Sequence, residues 1–229
     1  MAQLTPELVD VFRRLDTCAV SNAVETFDIR LRNEGFTDAT VRCLFEDRPP
    51  VIGHVVTARI HAASPPAVGG RYCDRTDWWT YILSVPPPRI VVVEDEDERP
   101  GTGAFVGAVH ANILRALGCV AYVTNGSVRD APQVATTGLQ FFASRLAVSH
   151  AYVHIVDFGQ PVTVGGLRVT SGDVLYGDRH GLLTIPDSIV DRVGSVAEDM
   201  IAAERDVIAL CQSPSFSLEQ LRIAVRQLP

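Results

Sequence analysis

The stretch Gly118-Cys-Val-Ala-Tyr-Val-Thr-Asn-Gly-Ser-Val-Arg-Asp130 decides how the chain is expected to fold. Its apolar run, Val120 to Val123, predicts a buried strand. The run ends at Asn125-Gly126, a pair typical of tight turns because both residues tolerate positive φ. Arg129 and Asp130 follow directly after the turn. In an open α/β sheet, ligands bind beyond the carboxyl ends of the strands, so this stretch predicts a site at that edge.

Two interpretations of the pair Arg129 and Asp130 are open at this point. An arginine at a strand end can clamp a carboxylate or an enolate, and an aspartate can hold a divalent metal. Alternatively, the two side chains form a surface ion pair that caps the next segment. Their spacing alone does not separate these interpretations, because short motifs carry little information by themselves.

The composition limits the class of protein. A chain of 229 residues with 47% hydrophobic residues fits one domain with a sizeable core. A formal net charge of -7 argues against nucleic acid or an anionic membrane as the main partner. Five scattered cysteines without a C-x-x-C pair argue against zinc clusters and disulfide frameworks. With no signal peptide or membrane-spanning run visible, we expect a soluble cytoplasmic protein.

The segments before the opening stretch predict a β-α-β unit. Ile90 to Val93 is an apolar β-branched run, typical of a central buried strand. A helix over residues 107–118 then leads to the strand at 120–124, with a right-handed crossover. The glycine-punctuated loop Gly101 to Gly107 precedes that helix, whose free N–H groups are expected to make an anion site. The loop matches neither a Walker motif nor the dinucleotide fingerprint.

The two ends of the chain predict further helices. Thr5-Pro6 and Asp16-Thr17 have the chemistry of helix starts, and Pro186-Asp187 opens a last long helix. At 100° per residue, Glu204 falls in the middle of the apolar stripe of that helix, whereas Glu198 falls opposite. A carboxylate on an apolar face is costly unless it is paired or functional. Either the helix enters a polar site across a subunit boundary, or the stripe ends before Glu204.

Histidines form a second group of candidates. Alternation over Val148 to Phe158 predicts a strand with His150, Tyr152 and His154 on one face. Histidines on one strand face can bind zinc, although a third ligand must then come from elsewhere. The alternative is the polar wall of a substrate pocket. His180 is a further candidate acid or base, and residues 159–186 around it predict β-hairpins.

Three segments, residues 118–130, 165–173 and 177–186, resemble motifs of one family. The first is similar to a signature ending D/N-G-A-x-R-D, the second to G-G-x-x-V-x-P-G-D, and the third to A-D-x-D-G-V-V-V-I-P. The family is the regulator of ribonuclease E activity A-like superfamily. It includes metal-dependent class II pyruvate aldolases acting on 4-hydroxy-4-methyl-2-oxoglutarate and 4-carboxy-4-hydroxy-2-oxoadipate.

The resemblance implies both an architecture and an assembly. The fold is expected to be α/β, a β/β/α swivelling-domain sandwich with flanking N- and C-terminal helices. One domain would cover residues 1–229, with a C-terminal helical extension from about residue 187. The family assembles as homotrimers or hexamers, and its active site lies between subunits.

The resemblance also implies roles for particular residues. Arg129 would contact the pyruvyl group, and Asp130 would bind Mg²⁺ or Mn²⁺. A glutamate from the neighbouring subunit's last helix, here Glu204, would help to hold metal-bound water. The pyruvyl group would also meet backbone N–H groups of a G-E-L-L-A segment, whose counterpart here includes Gly107, Ala108, Val109 and His110.

The implied reaction is a lyase reaction on a 2-oxo acid, releasing pyruvate by retro-aldol cleavage or by decarboxylation of oxaloacetate. The metal would polarise the ketone, and Arg129 would stabilise the developing oxyanion. The sequence contains no lysine, so a Schiff-base aldolase is excluded. Two departures from the family, Ala108 in place of glutamate and His110 in place of leucine, leave the substrate open. The alternative function is that of a non-catalytic regulator binding a ribonuclease or another protein.

Overall fold

The described part of the chain, residues 1–67 and 73–226 of a computed structural model, alternates between strands and helices. Its strands are β1 (Arg42–Cys43), β2 (Val51–His61), β3 (Arg89–Asp95), β4 (Ala104–Val106), β5 (Cys119–Thr124), β6 (Ser127–Val128), β7 (Gln140–Ala143), β8 (Arg145–Leu146), β9 (His154–Phe158), β10 (Val162–Val164), β11 (Leu167–Val169), β12 (Val174–Asp178) and β13 (Gly181–Ile185). Its helices are α1 (Pro6–Phe12), α2 (Thr17–Glu25), α3 (Arg75–Ser84), α4 (Ala108–Ala116), α5 (Ala131–Ala135), α6 (Val190–Gln212) and α7 (Leu218–Val225).

An eight-stranded mixed sheet forms the centre of the fold. Its order is β1-β7-β5-β3-β2-β12-β13, and β9 also pairs with β2. Strands β2, β3, β5 and β7 run parallel to one another, and the strands around them are antiparallel. The predicted β-α-β unit is therefore confirmed as β3-α4-β5. The predicted hairpins are confirmed as β10-β11 and β12-β13.

Successive side chains of β3 point to opposite faces of the central sheet, and each face is covered by a further layer of the fold. Ile90 and Val92 pack on one face of the sheet against the β10-β11 hairpin. Val91 and Val93 pack on the other face, in a core with α3 and α4 residues that include Trp78. Because successive strand residues point to opposite faces, this continuously apolar strand is buried on both sides. The predicted α/β fold with a β/β/α sandwich is thus confirmed.

A third core joins the flanking helices to the sheet. Residues of α1, α2 and α6 pack against β12 and β13, and the Tyr176 hydroxyl lies 2.9 Å and 2.7 Å from the carbonyl oxygens of Phe12 and Leu15. Thr5 and Asp16 cap α1 and α2 as predicted, through bonds from the N–H groups of Leu8 and Ala19. The flanking helices are therefore confirmed. Among the described residues, no helix has the length and apolar character to cross a membrane.

The predicted strand over residues 148–158 is wrong in its first half. The chain turns around Ala151, which has a φ of +48°, and β9 begins only at His154. The turn is held by bonds from the Tyr152 N–H to the Ala62 carbonyl (3.1 Å) and from the Val153 N–H to the His150 carbonyl (3.1 Å). His150, Tyr152 and His154 therefore do not share a strand face.

Candidate functional site

The pair Arg129 and Asp130 is brought to the start of α4 by strand pairing. β4 and β6 are parallel neighbours, with Val106 opposite Val128, and the Arg129 N–H donates to the Val106 carbonyl at 3.1 Å. Since both strands end at the same edge, the residue after β4, Gly107, lies beside the residues after β6. The structure therefore brings together two segments that are about 22 positions apart in the sequence.

Gly107 allows this close approach. A β-carbon at position 107 would lie 2.5 Å from Asp130 Oδ2 and 3.1 Å from Arg129 Cγ. Contacts that short do not occur in folded proteins, so any side chain at position 107 would displace the carboxylate. Glycine is needed here for space, and it also forms the N-cap of α4 without a side-chain bond.

The Asp130 carboxylate is held by two donors. Its Oδ2 atom accepts the Ala108 N–H at 3.1 Å and the Arg129 Nε–H at 3.3 Å. The Ala108 N–H, with a smaller contribution from the Arg129 guanidinium, lowers the pKa of Asp130. Asp130 is itself in the left-handed region, with a φ of +56°. This carboxyl is therefore ionised at neutral pH and fixed at the positive end of a helix.

A cavity of ≈ 320 Å³ opens over this pair. The two side chains remain 30% and 33% exposed, so each can contact a molecule in the cavity. The lining includes the pair and four of the five residues of the predicted α4 segment, namely Gly107, Ala108, Val109, His110, Arg129 and Asp130, whereas the fifth, Ala111, is buried in the core. The ion-pair interpretation and the site interpretation are thus compatible, because the ion pair lies in the wall of a cavity.

His110 is a buried, neutral part of this wall. Its Nδ1 lies 3.3 Å from the Phe105 carbonyl oxygen, and its Nε2 accepts the Trp79 Nε1–H at 3.4 Å. The carbonyl can only accept, which assigns the proton to Nδ1. Burial lowers the pKa of His110 to about 4. Both ring nitrogens are therefore already bonded within the protein, and the side chain serves as packing beside the cavity.

The lowered pKa of His110 predicts a loss of stability in acid. An unfolded histidine titrates near pH 6.5, so between about pH 4 and 6.5 the unfolded chain binds the additional proton and the free energy of unfolding falls as the pH falls. We expect His110→Gln to show a smaller decrease in Tm between pH 7 and pH 4.5 than the parent protein. Thermal unfolding followed by circular dichroism measures this, with the exposed His150→Gln as control. Equal slopes in the parent and His110→Gln would contradict the assignment.

Residues around the cavity suit a magnesium-type ion better than a zinc-type ion. Within the described ranges, no group of three or more histidine, cysteine, aspartate or glutamate residues is placed to hold a metal. Zinc sites need three or four such ligands. Mg²⁺ is commonly held by one or two carboxylates, with waters and substrate oxygens completing the shell. Asp130, ionised and partly exposed in the wall of the cavity, fits that pattern.

Other sequence candidates lie in different places. His150 is exposed at the rim of the cavity, with its Nδ1 3.0 Å from the Ala104 carbonyl oxygen. Glu204 is exposed on α6, does not line the cavity, and lies beyond the buried part of that helix, which ends at Ala197. In the single chain, the buried part of the apolar stripe therefore ends before Glu204.

Four residues of the cavity lining, Arg75, Trp79, Phe105 and Ile113, were not predicted as site residues. Arg75 and Trp79, in the first half of α3, are among them. Arg75 makes no ion pair with the part of the chain that the structure describes, and its guanidinium carbon lies 5.6 Å from the Phe105 ring centroid. No motif marks these residues, since only long-range packing brings α3 to α4.

Comparison with known proteins identifies related sequences and folds. The family described as "RraA-like: Aldolase/RraA" matches residues 17–184, a range that includes Gly107, Arg129 and Asp130 and stops before Glu204. A protein of Halalkalibacterium halodurans named "Putative 4-hydroxy-4-methyl-2-oxoglutarate aldolase" is 21% identical over 214 residues, covering 90% of this chain and 91% of that protein.

Solved structures show the same fold. A Pseudomonas syringae pv. tomato protein of uncharacterised function has a TM-score of 0.71 at 20% identity, covering 97% of both chains. Streptomyces coelicolor RraAS2, described as an unusual member of the RNase ES inhibitor RraA protein family, has a TM-score of 0.69 at 21% identity. That match covers 90% of this chain and 96% of RraAS2. At these identities the likeness concerns the fold alone.

Proposed function

The chain belongs to the RraA-like family of aldolases and RraA proteins, and from that premise we propose that it is a divalent-metal-dependent lyase that releases pyruvate from a 2-oxo acid. The observation that carries the proposal is the ionised Asp130 beside Arg129, fixed to the N-terminus of α4 in the wall of a cavity. Proteins of this family are named as aldolases or as ribonuclease regulators. A fixed, ionised carboxylate that can hold a metal ion supports the aldolase function.

The residues of the cavity have complementary tasks in such a reaction. Asp130 would hold Mg²⁺ or Mn²⁺, which supplies Lewis-acid polarisation of the 2-oxo group when bound. The first-turn N–H groups of Val109 and His110 have no acceptor within their helix and bind the substrate carboxylate. Arg129 donates to the oxygen on which negative charge develops as the C–C bond breaks. Arg75 offers a second cation for a distal carboxylate, so we favour dicarboxylic substrates.

Carbon–carbon cleavage and decarboxylation develop charge on the same oxygen. Retro-aldol cleavage of a 4-hydroxy-2-oxo acid and loss of carbon dioxide from oxaloacetate each leave the enolate of pyruvate. Arg129 therefore serves both reactions equally, and the proposal includes both. A Schiff-base route is closed to this protein because it contains no lysine.

The proposal is tested by a substrate screen with pyruvate as the common product. Purified protein is incubated with 4-hydroxy-2-oxo acids and with oxaloacetate, and lactate dehydrogenase with NADH reports the pyruvate. We expect turnover with Mg²⁺ or Mn²⁺ and its loss in EDTA. Turnover that is unchanged by EDTA would contradict the metal assignment. No release of pyruvate from any substrate would contradict the lyase.

We further propose that the working protein is a homotrimer or hexamer in the cytoplasm. All five cysteines are free thiols, which suits a reducing compartment. In such an assembly, the exposed Glu204 of one subunit would reach the Asp130 cavity of its neighbour and orient metal-bound water. This accounts for a carboxylate on the continuation of an apolar helix face.

The role of Glu204 leads to a specific expectation. Glu204→Gln should lower kcat about tenfold to a hundredfold, as loss of an outer-shell partner does, and should leave the oligomer intact. Steady-state kinetics and size-exclusion chromatography measure the two effects. Glu198→Gln is the matched control, because Glu198 lies on the other face of α6 in a surface ion pair with Arg14. If Glu204→Gln has the kinetics of the control, Glu204 has no part in the site.

A second function, regulation of a ribonuclease, has one observation in its favour. A cavity of ≈ 360 Å³ lies at the amino ends of the parallel strands, and among the residues that the structure describes its charged lining consists of three arginines, Arg13, Arg48 and Arg115. Such a surface would bind acidic groups of a partner protein. Inhibition of ribonuclease E cleavage by this protein, lost in an Arg13→Gln and Arg115→Gln double variant, would support this function, and unchanged cleavage would exclude it.

A further inference from the structure

Two histidines outside the proposed active site face each other across a strand pair. His61, the last residue of β2, is the direct antiparallel partner of His154, the first residue of β9. Their ring centroids are 6.1 Å apart, with an angle of 50° between the ring planes. Neither residue lines the Asp130 cavity. His154 belonged to a predicted trio with His150, and the structure replaces that trio with this cross-strand pair.

Both rings are held in place through the same nitrogen. His61 Nδ1 lies 3.1 Å from Asp97 Oδ1, and His154 Nδ1 lies 2.8 Å from the Tyr152 carbonyl oxygen. A carbonyl oxygen and a carboxylate only accept hydrogen bonds, so each Nδ1 carries the proton. In the neutral rings, the lone pairs are therefore on the two Nε2 atoms. A bond from Nδ1 to a carboxylate or carbonyl is the arrangement found around histidines that ligate metals.

Asp97 is itself rigidly fixed, which matters for the orientation of His61. Its Oδ2 accepts the N–H groups of Ala62 and Ala63 at 2.8 Å and 2.7 Å, and its side chain is only 6% exposed. The carboxylate thus has one oxygen for the backbone and one for His61. It is a positioning residue, because it directs His61 without being placed to bind the metal.

The spacing of the rings is suitable for one shared metal ion. Metal–nitrogen bonds of about 2.0–2.1 Å place each imidazole centroid about 3.2 Å from the ion, so two rings on one ion can be up to about 6.4 Å apart. The observed 6.1 Å lies just within that limit, so the two imidazoles would occupy nearly opposite positions around the ion. We propose that His61 and His154 form a second metal site, open to solvent, for a transition-metal ion that prefers imidazole. Water or an external ligand completes it, since no third side-chain ligand accompanies the pair within residues 1–67 and 73–226.

The test is a calorimetric titration of untagged, full-length protein with Ni²⁺, in which the heat of binding is measured. Ni²⁺ suits imidazole, and it avoids the preference of zinc for the five free cysteine thiols. The Asp130→Ala variant is titrated in parallel to remove the proposed active-site metal. We expect Asp130→Ala to bind one Ni²⁺ per chain and the parent to bind that ion and any ion at Asp130, so this site is assessed independently of the proposed lyase activity. An absence of Ni²⁺ binding to Asp130→Ala would overturn the proposal.

Three variants and one matched control assign the binding. His61→Gln and His154→Gln should each weaken it at least tenfold. Asp97→Asn should weaken it about tenfold to a hundredfold, because it removes the partner that fixes the His61 proton on Nδ1. His180→Gln should have no effect, although His180 Nδ1 also lies 3.2 Å from a carboxylate, that of Asp178. Parent-like affinity in both pair variants, or equal weakening by His180→Gln, would contradict the site.

A spectroscopic measurement on the unsubstituted protein completes the test and does not depend on the folding of any variant. Cu²⁺ bound at one equivalent should give an electron paramagnetic resonance spectrum with splitting from two nitrogen ligands. A spectrum with no nitrogen splitting would overturn the proposal. Circular dichroism of each variant without metal shows that a loss of affinity arises in a folded protein.

Discussion

Asp130→Ala is expected to lower metal-dependent pyruvate release by about a thousandfold, the equivalent of about 4 kcal/mol of transition-state stabilisation by the metal. The substitution removes the one carboxylate in the cavity that fits Mg²⁺ or Mn²⁺. It also leaves the Ala108 N–H and the Arg129 guanidinium without their shared acceptor. The coupled lactate dehydrogenase assay at saturating metal measures the loss.

Two comparisons make the Asp130 result specific. Asp199→Ala, which removes an exposed carboxylate on α6, should retain parental turnover. Raising the Mn²⁺ concentration should restore little activity to Asp130→Ala, because the ligand itself is missing. Parental kcat in Asp130→Ala would remove the basis for a metal at this position, and the ion-pair interpretation alone would remain.

Arg129→Gln is expected to lower kcat by about a hundredfold to a thousandfold, the usual cost of removing a donor to a developing oxyanion. Because this donor acts mainly in the transition state, kcat should fall more than KM rises. Arg129→Lys should recover only part of the loss, since an ammonium group supplies charge without the planar fork of a guanidinium.

The control for Arg129 is Arg168→Gln, which neutralises an exposed arginine on the β10-β11 hairpin. Arg168→Gln should have parental kinetics. This would show that the change in net charge does not cause the fall in kcat of Arg129→Gln. A change in KM alone in Arg129→Gln would contradict the oxyanion role and would indicate ground-state binding of the substrate. Full recovery by lysine would show that positive charge is sufficient and the guanidinium geometry is not needed.

Much of the fold follows from local chemistry that can be read in the sequence. Thr5 and Asp16 cap helices because their side chains accept backbone N–H groups wherever they occur. The run Ile90 to Val93 predicts a strand buried on both faces because it has no polar alternate residue. The parallel pair β4 and β6 that brings Gly107 near Arg129 was not predicted, because residues 101–107 were expected to be a loop, and the roles of these residues stay predictions.

Other features of the fold and of the candidate site depend on long-range contacts that no local sequence pattern encodes. The turn at Ala151 interrupts an alternation typical of a strand, because the backbone there bonds to Ala62, 90 positions earlier. For the same reason His154 pairs with His61 and not with His150. Periodicity places Glu204 on an apolar face, but it does not tell whether another subunit covers that face. Arg75 reaches the cavity only through the packing of a distant helix.

The crowding at Gly107 has an evolutionary consequence. Any β-carbon there would displace the Asp130 carboxylate from its present position, so the two positions are expected to vary together. Descendants that lose the aspartate are released from the requirement for glycine, whereas those that keep it are not. A survey of relatives should therefore find most substitutions at 107 in lineages that have also replaced 130.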